Sequence, residues 1–421
     1  MEHSTLTGRI ADRSAIPRIR LRGNTFWSGE SWLRFTGRAN SEELKFLVVE
    51  DEDSTPCAVA PLMVCTRDRG PFFHRLPGII GDERSFGAVD RLSEAERTRY
   101  EKLLPQLDGL RQVQYPSVAL GARGSDHGVR FAVDSPVHPD QVMQALPRLL
   151  ADAAAELGCR SYGILSLTGA EERVLRSAAD DGGYRRVVLG ADAVQWPVAA
   201  HTYEEYLQSM PGKTRGKRRR EMKLYRESGL RTVVRSGPES VGDQLADFQA
   251  RLRAKHGMPD AEASTRAEFA DLRETVGDHV IVFRAERDGQ LIAFALCLYD
   301  RERREIYVRS FGCDDTDPAG RYSYFALVYQ EVPAWSARHG IAKIWYGMST
   351  SEAKRARGCT LVPLYGLVHF SGTEADTLQR VGQLQSVGEQ RRLAELGCHF
   401  EEPADPSRDV SPGDARRERS V

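Results

Sequence analysis

The chain has 421 residues, more than one hydrophobic core supports, so two or three domains are expected. Its 59 basic and 60 acidic side chains leave a net charge of −1, which excludes a protein-wide positive field for nucleic acid and confines any such contact to a local patch. The seven cysteines are scattered without a C-x-x-C pair and the ten histidines show no ligand spacing, which argues for reduced thiols and against a metal site.

The first 16 residues are polar and read as a frayed start, with no basic segment followed by an apolar leader. No apolar run reaches ~18 residues, so no membrane span is expected and the expected location is cytoplasmic. Residues 45–49 and 57–65 read as a hairpin across the DEDST turn. Residues 142–158 carry apolar side chains at helical spacing, interrupted by Pro147 and closed by Gly158. A strand at 162–167, a short helix at 170–183 and a strand pair or one bent strand at 185–198 follow.

The same order recurs. Residues 279–286 and 291–299 form a hairpin around Arg-Asp-Gly, which supplies the glycine such a turn needs. Residues 304–312 give a third strand, and 322–340 a helix bent at Pro333 and closed by Gly340. A strand, a short helix bearing Lys354 and a last strand end the unit near Phe370. The expected organisation is a domain over 17–198, a second over 199–400, and a disordered tail over 401–421. The joint falls near Trp196 to Tyr203.

The second domain opens with a predicted basic helix over 203–228. Lys213, Arg215, Lys217, Arg218, Arg219, Arg220 and Lys223 crowd it, with Arg226 beyond. Like charges at i, i+3 and i+4 repel, so solvation or an anionic partner must offset them. The bland reading is a solvated face. The sharper reading is a phosphate-binding rail, favoured by guanidinium groups that hold phosphate bidentately. With Tyr225 almost alone among aromatic residues here, base-specific reading of a single strand is not supported.

The segment GIAKIWYGMSTSEAKRARGCTLVPLYGLVHF (340–370) places Lys354 beside the junction of two strands. A cation held there can steady an oxyanion or a phosphate, although a solvated lysine on a surface turn is the plain alternative. Lys354, Gly358, Leu361, Val362, Tyr365 and Gly366 resemble the C-terminal part of the Fem-type aminoacyl transferases. Leu207, Lys213, Arg215, Gly229 and the strand at 230–234 follow that family's order too. The resemblance covers roughly residues 200–370; the first domain matches in element order alone. It implies an α+β fold of tandem GNAT-like (acyl-CoA N-acyltransferase) domains, each a mixed, mostly antiparallel sheet flanked by helices. It implies amide formation between an amine and an aminoacyl group carried on tRNA, with Lys354 as catalytic residue and no cofactor. The family usually has Phe beside that lysine and before the glycine, where this chain has Ala353 and Arg357. Arg357 adds a second cation for a donor phosphate.

Acyl-CoA-using relatives carry a glycine-rich diphosphate loop before the central helix. The equivalent segment here, 312–325, has Gly320 preceded by Asp314, Asp315 and Asp317, which would repel diphosphate. Arg309, Tyr322, Tyr324, Tyr346 and Arg357 are candidate substrate-binding residues, and Glu352 joins the tyrosines as a candidate base. Three functions remain open: aminoacyl-tRNA-dependent transfer to a small-molecule amine (a cell-wall precursor or secondary metabolite), acyl-CoA-dependent N-acyl transfer, and non-catalytic RNA binding through the basic helix.

Overall fold

The computed structural model describes residues 6–12, 14, 20–23, 25–39, 44–67, 75–81, 88–121, 126–197, 202–257 and 261–400. The predicted tail over 401–421 lies outside them. The first half contributes strands β1 (Thr7–Ala11), β2 (Leu21–Gly23), β3 (Leu44–Glu50), β4 (Pro56–Cys65), β5 (Ser117–Leu120), β6 (Arg130–Ala132), β7 (Ser161–Leu167) and β8 (Arg185–Gln195). The second contributes β9 (Arg231–Ser236), β10 (Val280–Arg287), β11 (Gln290–Asp300), β12 (Glu305–Cys313), β13 (Lys343–Trp345) and β14 (Thr360–Phe370). The principal helices are α1 (Glu30–Ala39), α2 (Pro139–Glu156), α3 (Gly169–Asp181), α4 (Gly212–Glu227), α5 (Asp243–Lys255), α6 (Ala261–Val276), α7 (Ser351–Arg355) and α8 (Ala375–Glu395).

All the strands join one mixed sheet of order β1-β3-β4-β5-β7-β14-β8-β13-β12-β11-β10-β9, with β2 and β6 beside β4. The two halves interleave at its centre. β14, from the second half, lies between β7 and β8, and β8 in turn reaches across to pair with β13. Most neighbours are antiparallel, but each half has a parallel pair, β5 with β7 and β12 with β13. Both pairs come apart. β5 leaves toward β4, where Gly121 N–H donates to Pro61 O at 3.0 Å, and β12 runs on to Cys313 alongside β11 after β13 has ended. This is the α+β tandem GNAT-like arrangement that the resemblance implies.

Side-chain alternation assigns the two faces. Leu47 and Val49 join the core under α2 and α3; Phe46 and Val48 join an aromatic core under α1, α5 and α6. In β10, Ile281 and Phe283 take the first face and Val280 and Val282 the second. A third cluster packs α8 over Leu165, Val187 and Phe370.

Four expectations change. Residues 7–11 are an edge strand rather than a frayed start, held by the β3 ladder and by Arg9 to Glu50 at 2.8 Å. Pro147 does not interrupt α2, which runs through it. The predicted helix over 203–228 is two helices, Tyr203–Gln208 and α4, because Pro211 between them lacks an N–H and disfavours helical geometry in the residue before it. The helix over 322–340 is a relay of short 3-10, α, π and α turns rather than one bent rod. Pro333 has no N–H for the carbonyl of Tyr329 four residues back, and the π turn at Leu327–Glu331 immediately precedes it.

Candidate active site

Lys354 sits on α7, beside the place where β13 ends and β12 diverges. Gly347 turns the chain out of β13 with φ 77°, and Thr350 reverses it with φ 56°. The short helix then brings the lysine back over that turn, where Nζ donates to Tyr346 O at 2.7 Å and Gly347 O at 2.8 Å. The residue is 3% exposed, so it is no solvated surface lysine. Burial pulls its pKa from 10.5 down to about 8, with the negative charge of Asp192 opposing. Two of the ammonium's three N–H bonds are committed to carbonyls, which leaves one for a reacting group. The neutral amine would keep the same two donations and turn a lone pair to that position.

Tyr346 and Arg357 lie in the same region. Tyr346 stacks on Tyr329 at 5.1 Å and donates its hydroxyl to Gln195 Oε1 at 2.9 Å. Its buried phenol is held well above the usual tyrosine pKa, so it is a poor base. The Arg357 guanidinium lies over the Phe325 ring at 3.6 Å and reaches Glu221 of α4 at 3.5 Å. Tyr324 packs edge-on against Phe311, Phe325 and Tyr329, which joins it to this cluster. Tyr322 lies further out, with Arg321 over its ring.

Two candidates are elsewhere. Arg309 is on the other face of the sheet, over the Trp32 ring at 5.5 Å and paired to Glu268 at 2.8 Å, because it is the extra residue of a β-bulge between Val308 and Ser310, which breaks the alternation that would otherwise set it on the face of Phe311. Glu352 is exposed and engaged by Arg392 at 2.7 Å rather than aimed at Lys354.

The basic helix divides by periodicity. Arg218, Met222 and Tyr225, at i, i+4 and i+7, are buried. Arg218 is therefore a structural residue, not part of a phosphate rail. Its Nη1 donates to Tyr206 Oη at 2.8 Å and to Tyr329 O at 2.7 Å, and its Nη2 to Arg357 O. It thus serves the carbonyl that Pro333 leaves without its helical partner. Arg219 is exposed and paired with Glu204 at 2.7 Å, and Lys223 with Glu227 at 3.6 Å. Arg215 is half-buried. Lys213, Lys217 and Arg220 form an exposed stripe, again at i, i+4 and i+7, with no carboxylate partner among the described residues.

Sequence reasoning missed the groups that connect these parts. Gln195 bridges Tyr346 to Tyr206, 3.3 Å from its Nε2, and Tyr206 meets Arg218. A continuous polar chain therefore runs from the basic helix to the strand below Lys354. Asp192, 3% exposed, was the legible clue: one acid in the otherwise apolar run VVLGADAV.

The segment at the place of a diphosphate loop is filled by its own carboxylates. Asp317 accepts from Ala319 N–H at 2.9 Å and pairs with Arg287. Asp314 binds Thr316, and a side chain at Gly320 would meet Asp314 O at 2.7 Å. No group of His, Cys, Asp and Glu among the described residues could hold a metal ion, and no helix among them is long and apolar enough to cross a membrane.

The α+β tandem GNAT-like fold and the family match together define the class as acyltransferase-type. The chain belongs to the FemAB-like family, described as peptidoglycan biosynthesis/recognition, which it matches over residues 124–380. Transferases of this kind take the acyl donor as a substrate and need no metal or resident cofactor. Among solved structures it is similar to the C-terminal domain of a putative lysylphosphatidylglycerol synthetase from Agrobacterium fabrum, at 18% identity, covering 65% of this chain and 84% of that one, with a TM-score of 0.43. It is similar to L-PGS from Bacillus licheniformis, at 12% identity over 84% and 91% of the two chains, with a TM-score of 0.44. It is also similar to a tandem GNAT protein from the clavulanic acid biosynthesis pathway, at 9% identity over 87% and 99%, with a TM-score of 0.43. No curated protein matches the chain.

Proposed function

We propose that the protein is an amide-forming N-acyltransferase that moves an aminoacyl group from aminoacyl-tRNA to the amine of a small-molecule acceptor, in the cytoplasm. The observation that carries this reading is Lys354: a buried cation, tied to two carbonyls beside diverging strands. The acceptor nitrogen attacks the ester carbonyl, and a C–N bond forms as the C–O bond to the ribose breaks. The amine's proton leaves to the ribose oxygen or to water. Lys354 stabilises the oxyanion, an effect worth ~3–4 kcal/mol for a well-placed donor. Orientation of the two reactants supplies roughly 7–11 kcal/mol more.

Two features support tRNA over CoA as donor. The carboxylates around Asp317 already use the backbone N–H that a diphosphate would need. The stripe of Lys213, Lys217 and Arg220, unpaired among the described residues, suits a phosphate backbone, and its helix is braced through Arg218 to the elements around Lys354. The family description favours a peptidoglycan precursor as the acceptor. Purified protein should transfer label from charged tRNA to such an amine, with loss of the signal on RNase treatment. Transfer from acyl-CoA instead would establish the alternative donor. Tight RNA binding without turnover, unaffected by Lys354→Ala, would establish a binding protein.

A further inference from the structure

On the sheet face opposite Lys354 lies a cleft of about 890 Å³ that no step above uses. Both halves of the chain wall it. The first half supplies Arg130, Phe26 and Trp32, and the second supplies His279 and Arg303. Arg303 closes one end by donating to Gly23 O and pairing with Asp300 at 3.4 Å.

Arg130 is the unexplained group. The residue is half-buried, and its buried Nε has no hydrogen-bond acceptor among the described residues. Burial pushes its pKa down, with Glu30 opposing through charge alone. Trp32, 1% exposed, likewise has no acceptor for its indole N–H among the described residues. Leaving such donors dry is costly unless a ligand completes them. Exposed Arg22, Arg34, Glu30 and Glu302 stand at the rim, while Asp300 is already engaged. The walls are largely polar, with one aromatic side: Phe26 lies 5.9 Å from Trp32 and 5.3 Å from His279, ring centre to ring centre. A volume of this size suits a drug-sized organic molecule.

We propose that this cleft binds a small organic anion, a carboxylate or phosphate attached to a ring, with Arg130 receiving the anion and Phe26, Trp32 and His279 flanking the ring.

The test uses the full chain and calorimetric titration with phenyl phosphate, benzoate and inorganic phosphate, and with phenol as the neutral control. Saturable binding is expected for phenyl phosphate or benzoate, and whichever binds identifies the anion. Phenol and inorganic phosphate should bind at least tenfold more weakly. Arg130→Gln should weaken the anion by roughly tenfold or more, since a bond to a charged group is lost. Without ligand, Arg130→Gln should melt no lower than the parent, because no internal bond is lost. Glu30→Gln, an exposed change that folding tolerates, should tighten binding. No saturation with either ringed anion would overturn the proposal. So would unchanged affinity in both variants, or a lowered melting temperature in Arg130→Gln with affinity intact, which would mark a structural arginine.

Discussion

Replacing Lys354 with Met separates a buried, depressed amine from an ordinary one. A fall from 10.5 to about 8 corresponds to about 3 kcal/mol between the two protonation states. Between those values the unfolded chain holds a proton that the folded chain has released. Folding therefore becomes more favourable as pH rises from about 8 toward 10.5. From about pH 7 to about pH 9.5 the gain from this one group is about 2 kcal/mol. Lys354→Met abolishes that gain; the other titration it touches is that of buried Cys359, whose thiol loses a nearby positive charge and is pushed further up. The variant also leaves Tyr346 O and Gly347 O without their donors, so its absolute stability shifts as well. The diagnostic quantity is therefore the difference in pH dependence. Urea midpoints and slopes for both proteins at the two pH values measure it. Equal pH dependence in the two proteins would refute the burial reasoning. The same proton reports on mechanism. As a fixed cation, Lys354 requires kcat/KM to pass through a descending limb near pH 8; activity that only climbs through that range would reassign it as a base.

Arg218→Met should destabilise the protein by about 3–5 kcal/mol, because three buried acceptors lose one charged donor, whereas Lys217→Ala should stay within ~0.5 kcal/mol; urea melts compare them. Changing Lys213, Lys217 and Arg220 together to Ala should raise KM for charged tRNA and reduce the salt slope of binding by about 2–3, with thermal stability kept. An unchanged slope would count against the stripe. Gly388→Ala should cost about 1–3 kcal/mol, since its Cβ would lie 2.4 Å from Ala88 O, a backbone atom that cannot step aside. Gly216→Ala, with nothing within 4 Å, should stabilise α4 by about 0.5–1 kcal/mol.

Local pattern was enough for elements whose stability is local. The hairpin expected at 279–286 and 291–299 appears as Val280–Arg287 and Gln290–Asp300, because alternation and a glycine turn specify it without distant partners. The helix expected over 142–158 appears as Pro139–Glu156 for the same reason. The family was legible from Lys354 onward, because a turn, a charge and a strand fall within a few residues of one another.

Tertiary structure decided the rest. No periodicity says that β14 inserts between β7 and β8, since both edges are apolar and either would accept a strand. Charge counting made one rail of the basic helix, yet Arg218 turns inward, because Tyr329, 111 residues away, has a carbonyl that Pro333 cannot serve. Arg309 and Tyr324 look alike as sequence candidates, but a β-bulge at Arg309 turns that side chain to the sheet face opposite the Phe311–Tyr324 contact. Composition and spacing set which segments are strands and helices because those preferences act over a few residues. Which charges are buried, paired or left waiting depends on groups far apart in the chain, and only the packed sheet brings them together.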